Sequence, residues 1–441
     1  MNTPIDLLIE ARWIIPVEPA NVVLENHAIA IDKGRIVALL QQSDAKARFS
    51  AREVKRLPHH VLIPGLINLH THAAMTLLRG LGDDLPLMDW LQNHIWPAEA
   101  KHVSAQFVHD GTLLACAEML RGGTTCFNDM YFHPKATAKA ALSSGIRAAI
   151  GLITLDFPTP YAADADDYLD KGLAARDELR DEPLLSFCLA PHAPYTVSDR
   201  AFSRVLTLAE QCDLPIHLHL HETTQEIDEG RKRFGVRPIE RLRRLGLLSP
   251  SLIGAHGVHL DADEIALLAQ HGCSIAHCPS SNLKLASGIA PLAALAAQGV
   301  NIGLGTDGAA SNNRLDLFQE MRLAALLAKG SSGQAEVIGA HQALHMATLG
   351  GARALGLDAQ IGSLAVGKAA DLCAINVNDV GLAPCYNAAS LLVYSAGREH
   401  VSDVWIAGRI RVADGHLLET NEIELIKLAA LWQNQICPRN V

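Results

Sequence analysis

Leu66-Ile67-Asn68-Leu69-His70-Thr71-His72 is the stretch on which the fold turns. It is a short, nearly continuous apolar run that ends in two histidines, and its pattern recurs down the chain. Leu66–His70 is followed by Thr124–Asn128, Arg147–Ile153, Leu184–Pro191, Ile216–His221, Leu252–His256, Ser274–Cys278 and Asn301–Gly305. Each of these eight runs precedes a segment long enough for a helix. Apolar strands that alternate with helices imply a parallel sheet covered by helices. Eight such units between Leu62 and Leu357 imply an α/β fold closed as a (β/α)8 TIM barrel rather than an open sheet.

Outside this core the pattern changes. Leu7-Leu8-Ile9, Trp13-Ile14-Ile15, Ala28–Ile31 and Arg35–Ala38 read as short strands, with a turn at Asp32-Lys33-Gly34. Asp371–Ile375, Val401–Ala407 and Arg409–Val412 look alike at the other end, and a last helix is expected over Glu422–Trp432. The two ends, 1–62 and 363–441, are expected to form one small β-sandwich domain, with the barrel over 63–362 inserted between them.

Composition narrows the function. The chain has 441 residues, 49% hydrophobic, with a formal net charge of -10 and no long basic run, which disfavours a nucleic-acid partner and favours a small substrate. Nine cysteines with no C-x-x-C pair read as free thiols rather than a disulfide frame. Met1–Pro16 lacks the apolar core of a signal peptide and no run has the length of a membrane span, so a cytoplasmic protein without a membrane partner is expected. A homo-oligomer is left open.

In a (β/α)8 barrel the working residues lie at the C-terminal ends of the strands. Those ends carry His70 and His72, His192, the set His217, His219, His221 and Glu222, then His256, His277 and Asp307. One strand-end histidine is more often a hydrogen-bonded packing residue. Many at one rim are hard to satisfy by packing, and a divalent metal held by imidazole and carboxylate explains them jointly. His70 and His72 alternate on one strand, so their rings can converge. Asp307 sits between Gly305 and Gly308, where backbone can approach a site closely. Spacing leaves strand five open: His217, His219 and His221 share parity, and the deeper His217 is expected to fill the barrel. A metal with an open position lowers the pKa of bound water to about 7. Glu222 is the candidate proton carrier, and His256 the candidate stabiliser of developing charge.

Taken together, Pro64–His72, His219-Leu220-His221-Glu222-Thr223, Ala255–His259, His277-Cys278-Pro279-Ser280-Ser281-Asn282, Gly305–Gly308 and Gly362–Leu372 resemble the amidohydrolase superfamily over nearly the whole chain. The resemblance pairs His219 with Glu222. With His70, His72 and Asp307 it implies one divalent ion, zinc above all. Strand four ends Ala190-Pro191-His192 without the lysine of binuclear members, which resembles the deaminase branch. Within it the chain looks most like the 5-methylthioadenosine/S-adenosylhomocysteine deaminases, which implies substrate contacts from Glu99 and His192 beside Glu222 and Asp307. The resemblance thus implies a purine nucleoside partner and hydrolytic deamination with Glu222, His256 and Asp307 as catalytic residues. The segment Gly151–Pro160 holds no arginine for a homocysteine carboxylate, which favours methylthioadenosine over S-adenosylhomocysteine or adenosine. Guanine deamination, or amino- or chlorohydrolysis of an s-triazine, on the same frame is the alternative. Non-enzymatic metal storage leaves Glu222 and His256 unexplained. Deaminases of bases in nucleic acids carry H-x-E and P-C-x-x-C, and neither occurs here.

Overall fold

The eight apolar runs pair side by side in chain order in a computed structural model that describes residues 2–437. Four strands precede them: β1 Thr3–Ile14, β2 Leu24–Asp32, β3 Arg35–Gln41 and β4 Phe49–Pro64. The barrel strands are β5 Leu66–Thr71, β6 Thr124–Tyr131, β7 Arg147–Thr154, β8 Leu185–Pro191, β9 Ile216–Leu220, β10 Leu252–His256, β11 Ser274–His277 and β12 Asn301–Leu304. All neighbours are parallel. The ring closes between β12 and β5: Thr306 N donates to Asn68 Oδ1 (3.0 Å), Asn68 Nδ2 to Thr306 Oγ1 (2.8 Å) and Asp307 N to His70 O (2.9 Å). One buried cluster joins the strands to the helices around them, with Phe127, Ile150, Leu218 and Ile275 against Met119, Phe202, Leu268 and Phe318.

The chain ends meet as expected. After the barrel come β13 Leu372–Asn376, β14 Val401–Ile406, β15 Arg409–Ala413 and β16 His416–Leu417. They join the first four strands in one sheet of order β16-β15-β14-β13-β4-β1-β2-β3. Ile9, Ile29 and Ile36 from one half share a buried cluster with Leu372 and Trp405 from the other, against which Ile410 packs, so the two halves of the sheet bury apolar side chains against each other. Gly65 is the only residue between β4 and β5. A Cβ there would stand 2.1 Å from Thr125 Oγ1, so glycine is required where the chain passes from sheet to barrel.

Differences from the sequence reading are local. The two runs Leu7–Ile9 and Trp13–Ile15 belong mostly to one strand, with an irregularity between Ala11 and Trp13. The last helix extends from Glu422 to Ile436, beyond Trp432. All nine cysteines are free; six are buried, Cys212 and Cys385 are half-buried, and Cys437 is exposed. Among the described residues no helix is long and apolar enough to cross a membrane.

Candidate active site

Strand β5 carries His70, His72 follows its last residue, and β9 carries His219 across the barrel mouth from them. His70, His72 and His219 bring one ring nitrogen each within 4.8 Å of one another, and so do a ring nitrogen of His70, one of His256 and a carboxylate oxygen of Asp307. Asp307 Oδ1 lies 3.4 Å from His70 Nε2 and 3.2 Å from His72 Nε2. Asp307 is turned inward by a left-handed backbone (φ 62°) just after β12, a conformation that is costly for a non-glycine residue and frequent at working sites.

The hydrogen bonds behind the rings orient them. His72 Nδ1 donates to Met130 O (2.6 Å) and His219 Nδ1 to His192 O (2.7 Å). Their Nε2 atoms therefore carry lone pairs when the rings are neutral, yet they face each other at 3.3 Å. His70 Nε2 is buried without a hydrogen-bond partner. Facing lone pairs beside a buried carboxylate call for a cation among them. Titration points the same way: burial would depress His72, yet Asp307 and the Met130 carbonyl raise it to about 9. Burial would raise Asp307, and His70 and His72 hold it well below the usual carboxylate range. The donor set, imidazole and carboxylate without thiolate, fits zinc or a similar divalent ion.

The remaining strand-five histidines go elsewhere. His217 lies behind His70, with its Nε2 2.9 Å from His70 Nδ1 and its Nδ1 3.1 Å from Asn128 Nδ2. His221 leaves β9 with φ 54° and turns away from the cluster: its Nδ1 donates to His259 O and its Nε2 accepts from Ile239 N. His277 is buried with neither ring nitrogen bonded, and it does not line the cavity.

Glu222 and His256 stand beside the cluster. His256 Nε2 is 3.8 Å from Glu222 Oε2. Burial pushes the Glu222 carboxyl above its ordinary range, and His256 pulls it back. A carboxyl raised in this way suits a group that takes up and releases a proton. The backbone of the turn is pinned by Glu226, whose carboxylate accepts from His221 N and Glu222 N, each at 2.9 Å.

The cluster forms the floor of a cavity whose wall is apolar: Leu87, Trp90, Ile95, Phe132, Phe157 and Leu285 line it. Glu99 and His192 also face it. Tyr131 donates to Glu99 Oε1 at 2.6 Å, and burial raises Glu99 to about 7. The Thr196 hydroxyl donates to Ala193 O, so it accepts from His192 Nδ1 (3.0 Å) and leaves His192 Nε2 as an acceptor. Burial lowers His192 to about 3, which keeps it neutral. Among the described residues that line the cavity none is lysine or arginine. Arg147 is spent elsewhere, on Asp371 at 2.6 Å.

Tyr131, Ser281, Asn282 and Ser287 touch the site residues but were assigned no role from sequence. Tyr131 lay beyond the expected end of its strand at Asn128. Ser281 and Asn282 stand in a quoted motif, but serine and asparagine after a strand look like turn formers.

A model of the amidohydrolase family matches residues 61–411. A 5-methylthioadenosine/S-adenosylhomocysteine deaminase of Saccharophagus degradans is 47% identical over 99% of this chain and 98% of its own. The crystal structure of a zinc-bound adenosine deaminase from Xanthomonas campestris superposes with a TM-score of 0.98 at 49% identity, covering 99% of each chain. A zinc-bound atrazine chlorohydrolase from Arthrobacter aurescens shares the fold, with a TM-score of 0.89 at 23% identity, covering 97% of this chain and 99% of the other.

Proposed function

The chain belongs to the amidohydrolase family, among relatives named 5-methylthioadenosine/S-adenosylhomocysteine deaminases, and on that premise we propose that it deaminates 5-methylthioadenosine. It is a hydrolase of C–N bonds in an aminated purine nucleoside, and its products are 5-methylthioinosine and ammonia. The observation that carries the reading is one cavity in which Glu222, the His–Asp cluster, Glu99 and His192 share an apolar wall.

One zinc ion held by His70, His72, His219 and Asp307 is our reading of the cluster, supported by the facing lone pairs of His72 and His219. Such an ion would supply a bound water whose pKa is lowered to about 7. As the water oxygen adds to purine C6, Glu222 takes one water proton and delivers it to N1; it then carries the second to the amino nitrogen, the C6–N bond breaks and ammonia leaves. His256 holds the attacking oxygen against the ring and stabilises the charge that develops. Asp307 aligns that oxygen through its inward-facing carboxylate. Glu99, with one oxygen held by Tyr131, accepts from the ribose hydroxyls, and His192 Nε2 accepts from another. A free base needs neither contact, which sets the nucleoside reading above guanine or a triazine.

The wall sets the 5′ preference. A methylthio group fits an apolar surface, whereas an amino-acid tail brings a carboxylate against a wall with no lysine or arginine among the described residues and with Glu99 present. We place the enzyme in a reducing compartment, the cytoplasm, on the support of nine free thiols. The test is a steady-state screen of the zinc-loaded protein, following the loss of adenine absorbance. We expect kcat/KM for methylthioadenosine to exceed that for S-adenosylhomocysteine by at least about tenfold, about 1.4 kcal/mol. Turnover of guanine or a chlorotriazine with none of methylthioadenosine would overturn the assignment.

A further inference from the structure

Three working side chains at the ends of three different strands share one feature. Each has two polar atoms, and in each case one atom faces the cluster while the other is held by the same short segment. Ser281 Oγ donates to Asp307 Oδ2 at 2.6 Å, leaving Oδ1 toward His70 and His72. His256 Nδ1 donates to Asn282 Oδ1 at 2.8 Å, leaving Nε2 toward Glu222. Ser287 Oγ donates to Glu222 Oε1 at 3.3 Å, leaving Oε2 toward His256. The segment is the helix Pro279–Lys284 after β11 and the turn that follows it.

Ser281, Asn282 and Ser287 are buried, at 0%, 1% and 7% exposure, and none lines the cavity. They therefore act on the reacting groups and not on the substrate. The segment is itself anchored. Ser280 N donates to Glu320 Oε2 (3.0 Å), whose other oxygen accepts from Asn312 Nδ2 (2.8 Å) in the loop after β12. Gln319 Nε2 donates to Ser280 Oγ (3.0 Å), and Lys284 Nζ reaches Asp83 Oδ1 (2.6 Å) and Ala310 O (3.1 Å). At the far end Ser287 N donates to Asn282 O (2.8 Å), and His259 Nε2 donates to Ser287 O (2.8 Å).

We propose that Ser280–Ser287 is the positioning element of the hydrolytic site, with Ser281, Asn282 and Ser287 each fixing the orientation of one catalytic side chain. Without Ser281 the Asp307 carboxylate has a buried unpaired oxygen and loses the bond that aims Oδ1 at His70 and His72. Without Asn282 the His256 ring loses its fixed plane. Without Ser287 the Glu222 carboxyl loses the bond that sets which oxygen meets the water. Misplacement of reacting groups by a fraction of an ångström to 1 Å lowers the chemical step while leaving substrate contacts intact.

The proposal rests on the deaminase reading for its kinetic test, so a second readout, metal retention, stands apart from activity. Ser281→Ala, Asn282→Ala and Ser287→Ala are compared with Ser281→Thr and Ser287→Thr, which keep the hydroxyl, all with zinc stoichiometry and thermal midpoint measured. Each alanine variant is expected to lose about 10- to 100-fold in kcat on methylthioadenosine, with KM within about threefold. The threonine variants should recover most of the loss. Ser281→Ala alone should also release zinc faster to a competing chelator. Folded, metal-loaded alanine variants with kcat unchanged would overturn the proposal. So would kcat losses that track a fall in thermal midpoint and are not recovered by threonine. An inactive parent would instead overturn the deaminase reading, and the chelator comparison would still decide the role of Ser281.

Discussion

At the residue scale, Glu222 and Glu99 carry opposite demands on one kind of side chain. Glu222 must exchange a proton, so Glu222→Gln should lower kcat by about 100- to 10,000-fold while zinc content stays at the parent's value. Full activity in that variant would remove the shuttle. Glu99 is held by Tyr131 and raised by burial from 4.5 to about 7. A raised carboxyl means that the folded state binds the proton between those values, so its contribution to stability falls as pH rises through that window. The cost is absent below pH 4.5 and complete above about pH 7, and is on the order of 3 kcal/mol. Urea midpoints of the parent and of Glu99→Gln, measured at pH 5 and pH 8, should diverge at the higher pH only. Spacing along the chain could not choose among His217, His219 and His221, because parity is the same for all three. The choice lies in the backbone: β9 stops at Leu220, and His221 takes φ 54° and swings to His259. His219→Ala should thus lose metal, whereas His221→Ala should keep it and lower the thermal midpoint.

At the scale of elements, the barrel was legible because most of its strands are buried, largely apolar runs and each is bounded by helix-forming sequence. Strand β4 was not read, since Arg52-Glu53-Val54-Lys55-Arg56 is a polar run that lies largely in contact with solvent. Its pairing with β1 and β13 comes from partners distant in sequence, which no local pattern records. The same holds for the segment Ser280–Ser287, whose partners lie just after β9, on β10 and beyond β12. The end of β12 shows how closely these elements meet. A Cβ at Gly305 would stand 2.8 Å from His70 Cβ and 2.9 Å from Cys278 Sγ. Neither atom is the end of a flexible chain, so His70 must move. Gly305→Ala is expected to cost about 1–3 kcal/mol and to leave the purified protein deficient in zinc, read by metal analysis after gel filtration. A variant with full metal content would show that the barrel mouth yields more than this spacing implies.

At the scale of the whole molecule, catalysis and stability occupy opposite ends of the barrel. The chemistry gathers where the strands end, and the join to the sheet domain lies where they begin. Arg147 opens β7, and its guanidinium bonds both oxygens of Asp371, at 2.6 and 3.3 Å. Asp371 also accepts from Ala407 N (2.8 Å) through its carboxylate and from Gly65 N (3.0 Å) through its carbonyl. One aspartate therefore ties the barrel, the β4–β5 passage and the C-terminal strands together. Its side chain is 2% exposed and the arginine side chain 11%, so removing one partner leaves a buried charge unpaired. Asp371→Ala should cost about 3–5 kcal/mol, whereas Arg147→Met with Asp371→Leu should recover part of that loss, because no charge is then stranded. Neither change reaches the cavity, so kcat of the surviving folded enzyme should stay within about twofold of the parent. Calorimetry and steady-state rates on the two variants check both halves. A single variant that melts like the parent, or that loses activity without losing stability, would show that this pair does not join the two domains.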